Sequence, residues 1–241
     1  MADIYKELKQ RVLGLMEGKG LLSQPVQVRA RALSTEEAIG NPEEKDFPLQ
    51  KGKEKLMQAL FFNSLGQAYT DQYGDFEGTL GEVFEMSLDN NYRRAVLVAT
   101  LNAVLRHLGR IHATVHCHDQ EPAQCAEELN RYLYGKFGRV RITQIGFQPR
   151  MVEFLAPTFP LRVLDMDPDN IGRRKFQVLI EDPEDTGDAV RWADVLLVTG
   201  TTLVNRTIGP FIGPKPVLFY GTTIAGAAHL MGWDRFCACA T

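Results

Sequence analysis

At 241 residues the chain exceeds the usual single-domain size of roughly 100–150 residues, so two modest domains are expected rather than one. Hydrophobic residues at 44% and charged residues at 24% stand near globular averages, which excludes a disordered, collagenous or supercharged polymer. Twenty-seven Lys and Arg against 30 Asp and Glu leave a net charge of −3 with no block of like sign, so the electrostatic footprint of a nucleic-acid or anionic-membrane partner is absent.

The longest uninterrupted aliphatic stretches, such as Ala95 to Ala99 and Val195 to Val198, fall far short of the roughly 18 residues a membrane span requires. Met1 to Lys9 intersperses Asp3, Lys6, Glu7 and Lys9 and has no signal-peptide core, so a cytoplasmic location without membrane contact is expected. Cys117, Cys125, Cys237 and Cys239 are too few for a secreted disulfide framework and read as thiols.

Ile4, Leu8, Val12 and Leu15 recur at helical spacing behind Asp3 as N-cap, and the segment Gly14 to Gly20 ends this first helix. From Pro25, Val26, Val28, Ala30 and Ala32 alternate with Gln27, Arg29 and Arg31, the period of a strand with one wet face. Ser34 to Lys55 is a polar connection holding Pro42 and Pro48, with one helical turn at Thr35 to Ile39. Leu56 to Phe62 and Leu65 to Thr70 then form a hairpin about Asn63-Ser64, giving three antiparallel strands. Tyr92 to Leu108 is the strongest helix, its stripe Leu97, Leu101, Val104, Leu105 and Leu108 closed by Gly109. Asn102 at the edge of that stripe needs a partner if buried. A further helix runs from Glu121 to Tyr134, opened by Asp119 and Pro122 and left through Gly135 and Gly138.

Beyond Arg139 short apolar runs alternate with helical patterns: Val140 to Phe147, Met151 to Leu155, Leu161 to Met166, Val195 to Thr199, Leu203 to Ile208, Val217 to Tyr220 and Ile224 to Met231. That alternation is the signature of a parallel α/β sheet, whose ligands bind at the carboxyl ends of the strands. Four loops follow such ends. Gly146 opens a turn but lacks the further glycines of a dinucleotide loop. Asp165 and Asp167 lie in an acidic loop about 20 residues on, either as hydroxyl or metal binders or as plain solvated carboxylates. Gly200-Thr201-Thr202 and Gly221-Thr222-Thr223 form a near-repeat in which Thr is expected at a helix N-cap, leaving the dipole for an anion or serving as ordinary capping. Asn205 would face the first of these loops from the following helical turn.

His112, His116, Cys117, His118 and Cys125 crowd fourteen residues at the junction of the two halves. Imidazole and thiolate suit soft or borderline metals, so His116, Cys117 and Cys125 are the candidate ligands, with Cys237 and Cys239 second; exposed histidines and a core cysteine are the bland alternative. No G-x-S-x-G, Walker A or H-E-x-x-H motif occurs.

The string Ala193-Asp194-Val195-Leu196-Leu197-Val198-Thr199-Gly200-Thr201-Thr202-Leu203-Val204-Asn205, with Ile145-Gly146-Phe147, Asp165-Met166-Asp167-Pro168 and Gly66-Gln67-Ala68-Tyr69-Thr70-Asp71, resembles the heavy-metal chelation family over nearly the whole chain. The resemblance implies an α/β protein: an enolase N-terminal-like α+β domain, here residues 1–112, and a Rossmann-like α/β domain, here 113–241. It also implies a cleft between them that binds a small anionic or metal-chelating metabolite. Roles in heavy-metal chelation, or in condensing or hydrolysing a pterin-, flavin- or siderophore-like compound, go with that cleft. A non-catalytic metal or metabolite binding module and a Rossmann-like methyltransferase are the alternatives, and whether there is catalysis stays open. The cofactor is left open apart from a transition-metal ion, since the glycine-rich loop of NAD and S-adenosylmethionine sites is missing. The expected partner is a small molecule or metal chelate, not nucleic acid or membrane, with a homo-oligomer open.

Overall fold

A computed structural model of the chain describes residues 4–16, 21, 27–40, 50 and 54–241, with the backbone alone at 27–30. The first helix, α1 (Ile4–Met16), buries Tyr5, Leu8, Val12 and Met16 and runs through Gly14, where the sequence reading had its end begin. The Asp3 cap, the prolines at 25, 42 and 48 and the wet face of the first strand lie outside the described residues or side chains. Strands β1 (Gln27–Ala32), β2 (Lys55–Phe61), β3 (Ser64–Thr70) and β4 (Phe76–Thr79) form one antiparallel sheet in the order β3-β2-β1-β4. Four strands, not three, make it up. The fourth is a four-residue strand holding Gly78, too short for a period-two pattern, and its last residue, Thr79, at once caps the next helix through a capping box with Glu82. The turn at Thr35 to Ile39 is a helix, α2 (Thr35–Ile39), capped in the same way by Ser34 and Glu37. The hairpin reverses on Phe62-Asn63, one residue early, with Phe62 in left-handed backbone at φ 51°.

After α3 (Leu80–Glu85) comes α4 (Asn91–His107), buried without a break from Arg94 to Leu105. A helix buried all round must pack on both sides. Gly66 makes that possible on the sheet side: a Cβ there would stand 2.3 Å from Ala99 O and Ala103 N, so only glycine lets β3 lie against the helix. Gly109 closes α4 at φ +64°, with Arg110 N–H reaching Leu105 O and Gly109 N–H reaching Arg106 O, each at 2.9 Å, the paired bonds of a Schellman ending. On the far side α4 meets the second sheet's helices, and one apolar cluster runs from Leu8 and Phe61 through Leu97 and Leu101 to Val198, Phe219 and Ala228.

The second sheet has seven strands: β5 (Ile142–Ile145), β6 (Leu161–Leu164), β7 (Arg174–Lys175), β8 (Val178–Glu181), β9 (Val195–Thr199), β10 (Val217–Tyr220) and β11 (Arg235–Phe236), in the order β11-β10-β9-β5-β6-β8-β7. All its pairs are parallel except β7 with β8. The connecting helices are α5 (Glu121–Phe137), α6 (Pro149–Leu155), α7 (Thr186–Trp192), α8 (Thr201–Val204) and α9 (Ala225–Met231), so the runs starting at Met151, Leu203 and Ile224 are the helical members of the alternation. The α/β class with a parallel-rich sheet stands as expected. From β5 the chain winds outward to β6 and β8, then returns to β9 on the other side of β5 and winds away to β10 and β11. The strand order therefore reverses between β5 and β9, the place where open α/β sheets leave a crevice at the carboxyl ends. Among the described residues, no helix is long and apolar enough to cross a membrane.

Asn102, fully buried on α4, joins the two sheets. Its Nδ2 donates to Gln67 O on β3 (2.9 Å) and to Thr222 O and Thr223 O (3.1 and 3.3 Å), and its Oδ1 accepts Gly226 N–H on α9 (2.7 Å). Removing one buried partner leaves the others desolvated at about 1–3 kcal/mol per group. Asn102→Ala is accordingly expected to lower unfolding stability by about 3 kcal/mol, read from the urea midpoint, whereas Asn130→Ala on α5 should cost far less.

Candidate functional site

At the switch point a cavity of about 830 Å³ opens, floored by the carboxyl ends of β5, β6, β9 and β10 and roofed by residues of the first sheet and of the 116–125 segment. The loops singled out from the sequence meet there: Gly146, Asp165 and Asp167, Gly200 with Thr201, Thr202 and Asn205, and Gly221 with Thr223 all border it, as do His116, Cys117 and Cys125. Thr222 does not border it; its hydroxyl is buried without a partner.

The threonines do not serve as the expected N-caps. Helix α8 is only one turn long and begins at Gly200 with no side-chain cap, and α9 begins at Ile224, also uncapped. Instead Thr199 and Thr201 hydroxyls bond each other at 2.9 Å, Thr202 Oγ1 donates to Thr199 O at 2.7 Å, and Thr223 Oγ1 accepts Tyr69 N–H at 3.0 Å. These hydroxyls tie the loop together and dock it on β3. The physical reason is length: a one-turn helix has no accumulated dipole to complement, so the polar side chains bond locally. Gly200 is needed for that docking, since a Cβ would lie 2.6 Å from Ile224 N.

Asp165 holds the acidic loop together. Its Oδ2 accepts Phe147 N–H at 2.7 Å, and its Oδ1 accepts Asp167 N–H at 2.8 Å and Asn170 Nδ2 at 3.3 Å. The loop N–H that would face a pyrophosphate is thus taken by the chain's own carboxylate. Gly146, at φ +91°, is required by packing, because a Cβ would meet the Thr199 side chain at 2.8 Å and Tyr220 Oη at 3.0 Å. Neither residue acts as its counterpart does in a dinucleotide fold.

Three groups to which pattern reading gave no role, Glu54, Asp71 and Tyr220, complete the walls together with Cys237, the second-rank metal candidate. Glu54, just before β2, lies deep in the cavity although solvent reaches part of it; burial, with Asp165, Asp71 and Asp167 adding repulsion, raises its carboxyl to about 7. Asp71 accepts Asn91 Nδ2 at 2.6 Å, and the same amide reaches Asn205 Oδ1 at 3.3 Å, which fixes Asn205. Tyr220 donates from its hydroxyl to Gly146 O at 2.8 Å, and burial pushes its phenol well above the ordinary range. Cys237 follows β11 and borders the same space. Glu54 has no motif spacing that could have flagged it, and the first sheet brings in Glu54 and Asp71 by folding alone.

His116 is held neutral, burial pushing it down to about 4. Its Nδ1 lies 2.6 Å from Cys117 O, so Nδ1 carries the proton and Nε2 keeps a free lone pair; its ring meets Tyr69 edge-on. His112 and His118 are not part of the cavity wall. The expected trio of His116, Cys117 and Cys125 shares one wall without converging: among the described residues no three His, Cys, Asp or Glu side chains are grouped to hold a metal ion. His116 and Cys117 lie on the irregular segment that precedes α5 and Cys125 on the helix itself, so the three are carried by different pieces of backbone.

With this geometry in view, the comparisons with known proteins bear on the family. The model of the DUF364 family, described as "Putative heavy-metal chelation", matches residues 133–214, from the end of α5 through β9 and α8. No curated protein matches the chain. A protein of unknown function of that family from Pyrococcus horikoshii is similar in structure with a TM-score of 0.56 at 16% identity, over 91% of this chain and 79% of that one. Another family member of unknown function, from Desulfitobacterium hafniense, gives 0.49 at 13% identity over 73% and 72%. The resemblance read from the sequence holds: the chain is similar to the heavy-metal chelation family in sequence across the centre of its parallel sheet, and in fold across nearly all its length.

The raised Glu54 has a stability consequence. Its folded value lies above the ordinary carboxylate value, so the neutral form is favoured in the folded state; stability is full below about pH 4.5, falls as pH rises toward 7 and levels off above it. Glu54→Gln is therefore expected to be more stable than the parent chain at pH 8, by up to ~3 kcal/mol, and nearly equal at pH 4.5. Denaturant titrations at the two pH values measure both.

Proposed function

We propose that the cavity binds a small metal-chelating metabolite in its metal-laden form. The observation that carries this reading is the charge of the walls: Glu54, Asp71, Asp165 and Asp167 face the space, and among the described residues that border it Arg206 is the one Lys or Arg. A bare anion would be repelled, whereas a chelate bearing a cation is drawn in. The volume of about 830 Å³ suits a ligand of pterin or flavin size or a small siderophore. Phe147, Met151, Pro168 and Phe211 supply the apolar surface for such a ring, and His116 Nε2 and the Cys117 thiol lie on the wall where a chelated ion could exchange a ligand. With an enolase N-terminal-like unit over 1–112 and a Rossmann-like unit over 113–241, this space is the cleft between two domains of a cytoplasmic protein.

A methyltransferase reading fits less well, because the Gly146 loop spends its N–H on Asp165 and the carboxylates leave no positive edge for a cofactor's carboxylate. A panel of pterins, flavins and siderophores, each with and without bound metal, and adenosylmethionine tests the reading by thermal stabilisation. A metal-loaded member is expected to raise the melting temperature well beyond its metal-free form, since a ligand at 100 times its Kd adds about 2.7 kcal/mol. Asp71→Asn should reduce that shift. Stabilisation by adenosylmethionine alone, or by none of the panel, overturns it.

A further inference from the structure

Arg206, the lone Lys or Arg among the described residues of the cavity wall, sits on unusual backbone. Helix α8 closes with the paired bonds of a Schellman ending: Thr207 N–H reaches Thr202 O at 2.9 Å and Arg206 N–H reaches Leu203 O at 3.2 Å. That ending puts Arg206 in left-handed backbone at φ 62°, a position where glycine is at ease and a side chain is strained. Of the non-glycine residues in that conformation among the described residues, it alone borders the cavity. Its neighbours hold it there. Arg94 Nε donates to Val204 O at 2.6 Å, Asn91 Nδ2 donates to Asn205 Oδ1 at 3.3 Å, and Ile208 and Phe211 are buried in the core just beyond. The side chain returns nothing to the fold: Arg206 is exposed, and among the described residues its guanidinium makes no hydrogen bond, ion pair or ring contact. Arg94, Arg162 and Arg235, by contrast, are all bonded.

We propose that Arg206 receives an oxyanion of the cavity's ligand, a carboxylate or phosphate group at the end that meets the exposed rim. This deepens the preceding reading and rests on its claim that the cavity takes a ligand, though not on the ligand's metal. Charge sets the orientation. Glu54, Asp71, Asp165 and Asp167 repel an oxyanion from their part of the wall, whereas a guanidinium offers it two parallel N–H donors. A ligand with one positive or metal-laden end and one oxyanion end is thereby bound one way round. A merely solvated arginine fits worse. Glycine in its place would relieve the backbone at no loss of contacts, so the strain is kept for what the side chain does at the cavity.

The first test treats the folded, full chain with the arginine reagent phenylglyoxal and reads modification at Arg206 and at exposed Arg139, which does not border the cavity, by mass spectrometry. Citrate and inorganic phosphate are the probes, with chloride at equal ionic strength as reference. At least one probe is expected to slow Arg206 by about threefold or more and to leave Arg139 unchanged. Protection by citrate alone marks a carboxylate, by phosphate alone a phosphate. Equal rates in all three solutions, or equal slowing of both arginines, overturn the proposal. Matched pairs then read the role by affinity: flavin mononucleotide against riboflavin, and pterin-6-carboxylate against 6-hydroxymethylpterin, all free of metal. The anionic member is expected to bind about tenfold more tightly, and Arg206→Gln to abolish that preference while leaving the neutral member's Kd within about twofold. A preference that persists in folded Arg206→Gln overturns the proposal. If no member of either pair binds, with or without metal, the preceding reading falls and the protection rates still decide this one. Arg206→Gly is expected to melt above the parent chain and to lose the preference; a lower melting temperature shows that the side chain supports the fold and overturns the assignment.

Discussion

The molecule depends on one buried amide. Asn102 sits where an apolar helix would ordinarily present another leucine, and it satisfies both its donor and acceptor on three different elements: β3, the loop after β10 and α9. Hydrophobic burial of α4 would hold the two sheets near one another but would not fix their register, since apolar contact is non-directional. The amide's geometry does. Because Thr223 also receives Tyr69 N–H, the loop after β10 is pinned to β3 at two points, and β3 continues directly to Asp71. The carboxylates contributed by the first sheet thus stand over the strand ends of the second, and the cavity's shape follows from a hydrogen-bond set some distance from its walls.

Close backbone approach is the second requirement. Gly66 and Gly226 both face α4, and each would drive a Cβ into it: Gly66 into the helix backbone at 2.3 Å, Gly226 into Asn102 Oδ1 at 2.8 Å. Without these two positions the amide could not reach its partners. Arg94 performs the matching task at the other end of the helix, donating to Val204 O at 2.6 Å and Leu88 O at 2.7 Å and bonding Asn91, which in turn holds Asp71 and Asn205. Helix α4 is a rigid spacer whose two ends position the two rims of the same space.

Much of this was legible in the sequence, and the limits are physical. Strands and helices with a long period were found because burial of one face imposes that period: the α4 stripe, the β2–β3 hairpin and the alternation after Arg139 all read correctly. Short elements escaped. β4 spans four residues, β8 follows the left-handed pair Phe176 and Gln177, and α8 is a single turn, so none shows a full repeat. That the loops at strand ends meet around one cavity was legible because parallel-sheet topology brings them together whatever their residues, yet the roles assigned to Thr201 and Asp165 were taken from longer helices and glycine-rich turns that this chain lacks. The places of Glu54 and Asp71 in the cavity wall depend on contacts between distant segments, for which a single sequence carries no spacing signal.

The cavity's acidity is itself a constraint on what it can be for. A carboxyl raised to about 7 by burial and by the neighbouring Asp165, Asp71 and Asp167 is an unfavourable arrangement. Asp165 accounts for itself, since it closes the loops after β5 and β6; Asp71 is used in part by Asn91. Glu54 serves neither purpose. A glutamine of the same shape would remove the repulsion at no cost in volume. Repulsion of this kind, lodged at the switch point of an open sheet and bordered by a neutral imidazole and thiols, would be relieved by positive charge. On the proposed reading, a cation-bearing ligand filling the space would favour the ionised form of Glu54, so that its binding would be coupled to release of that proton.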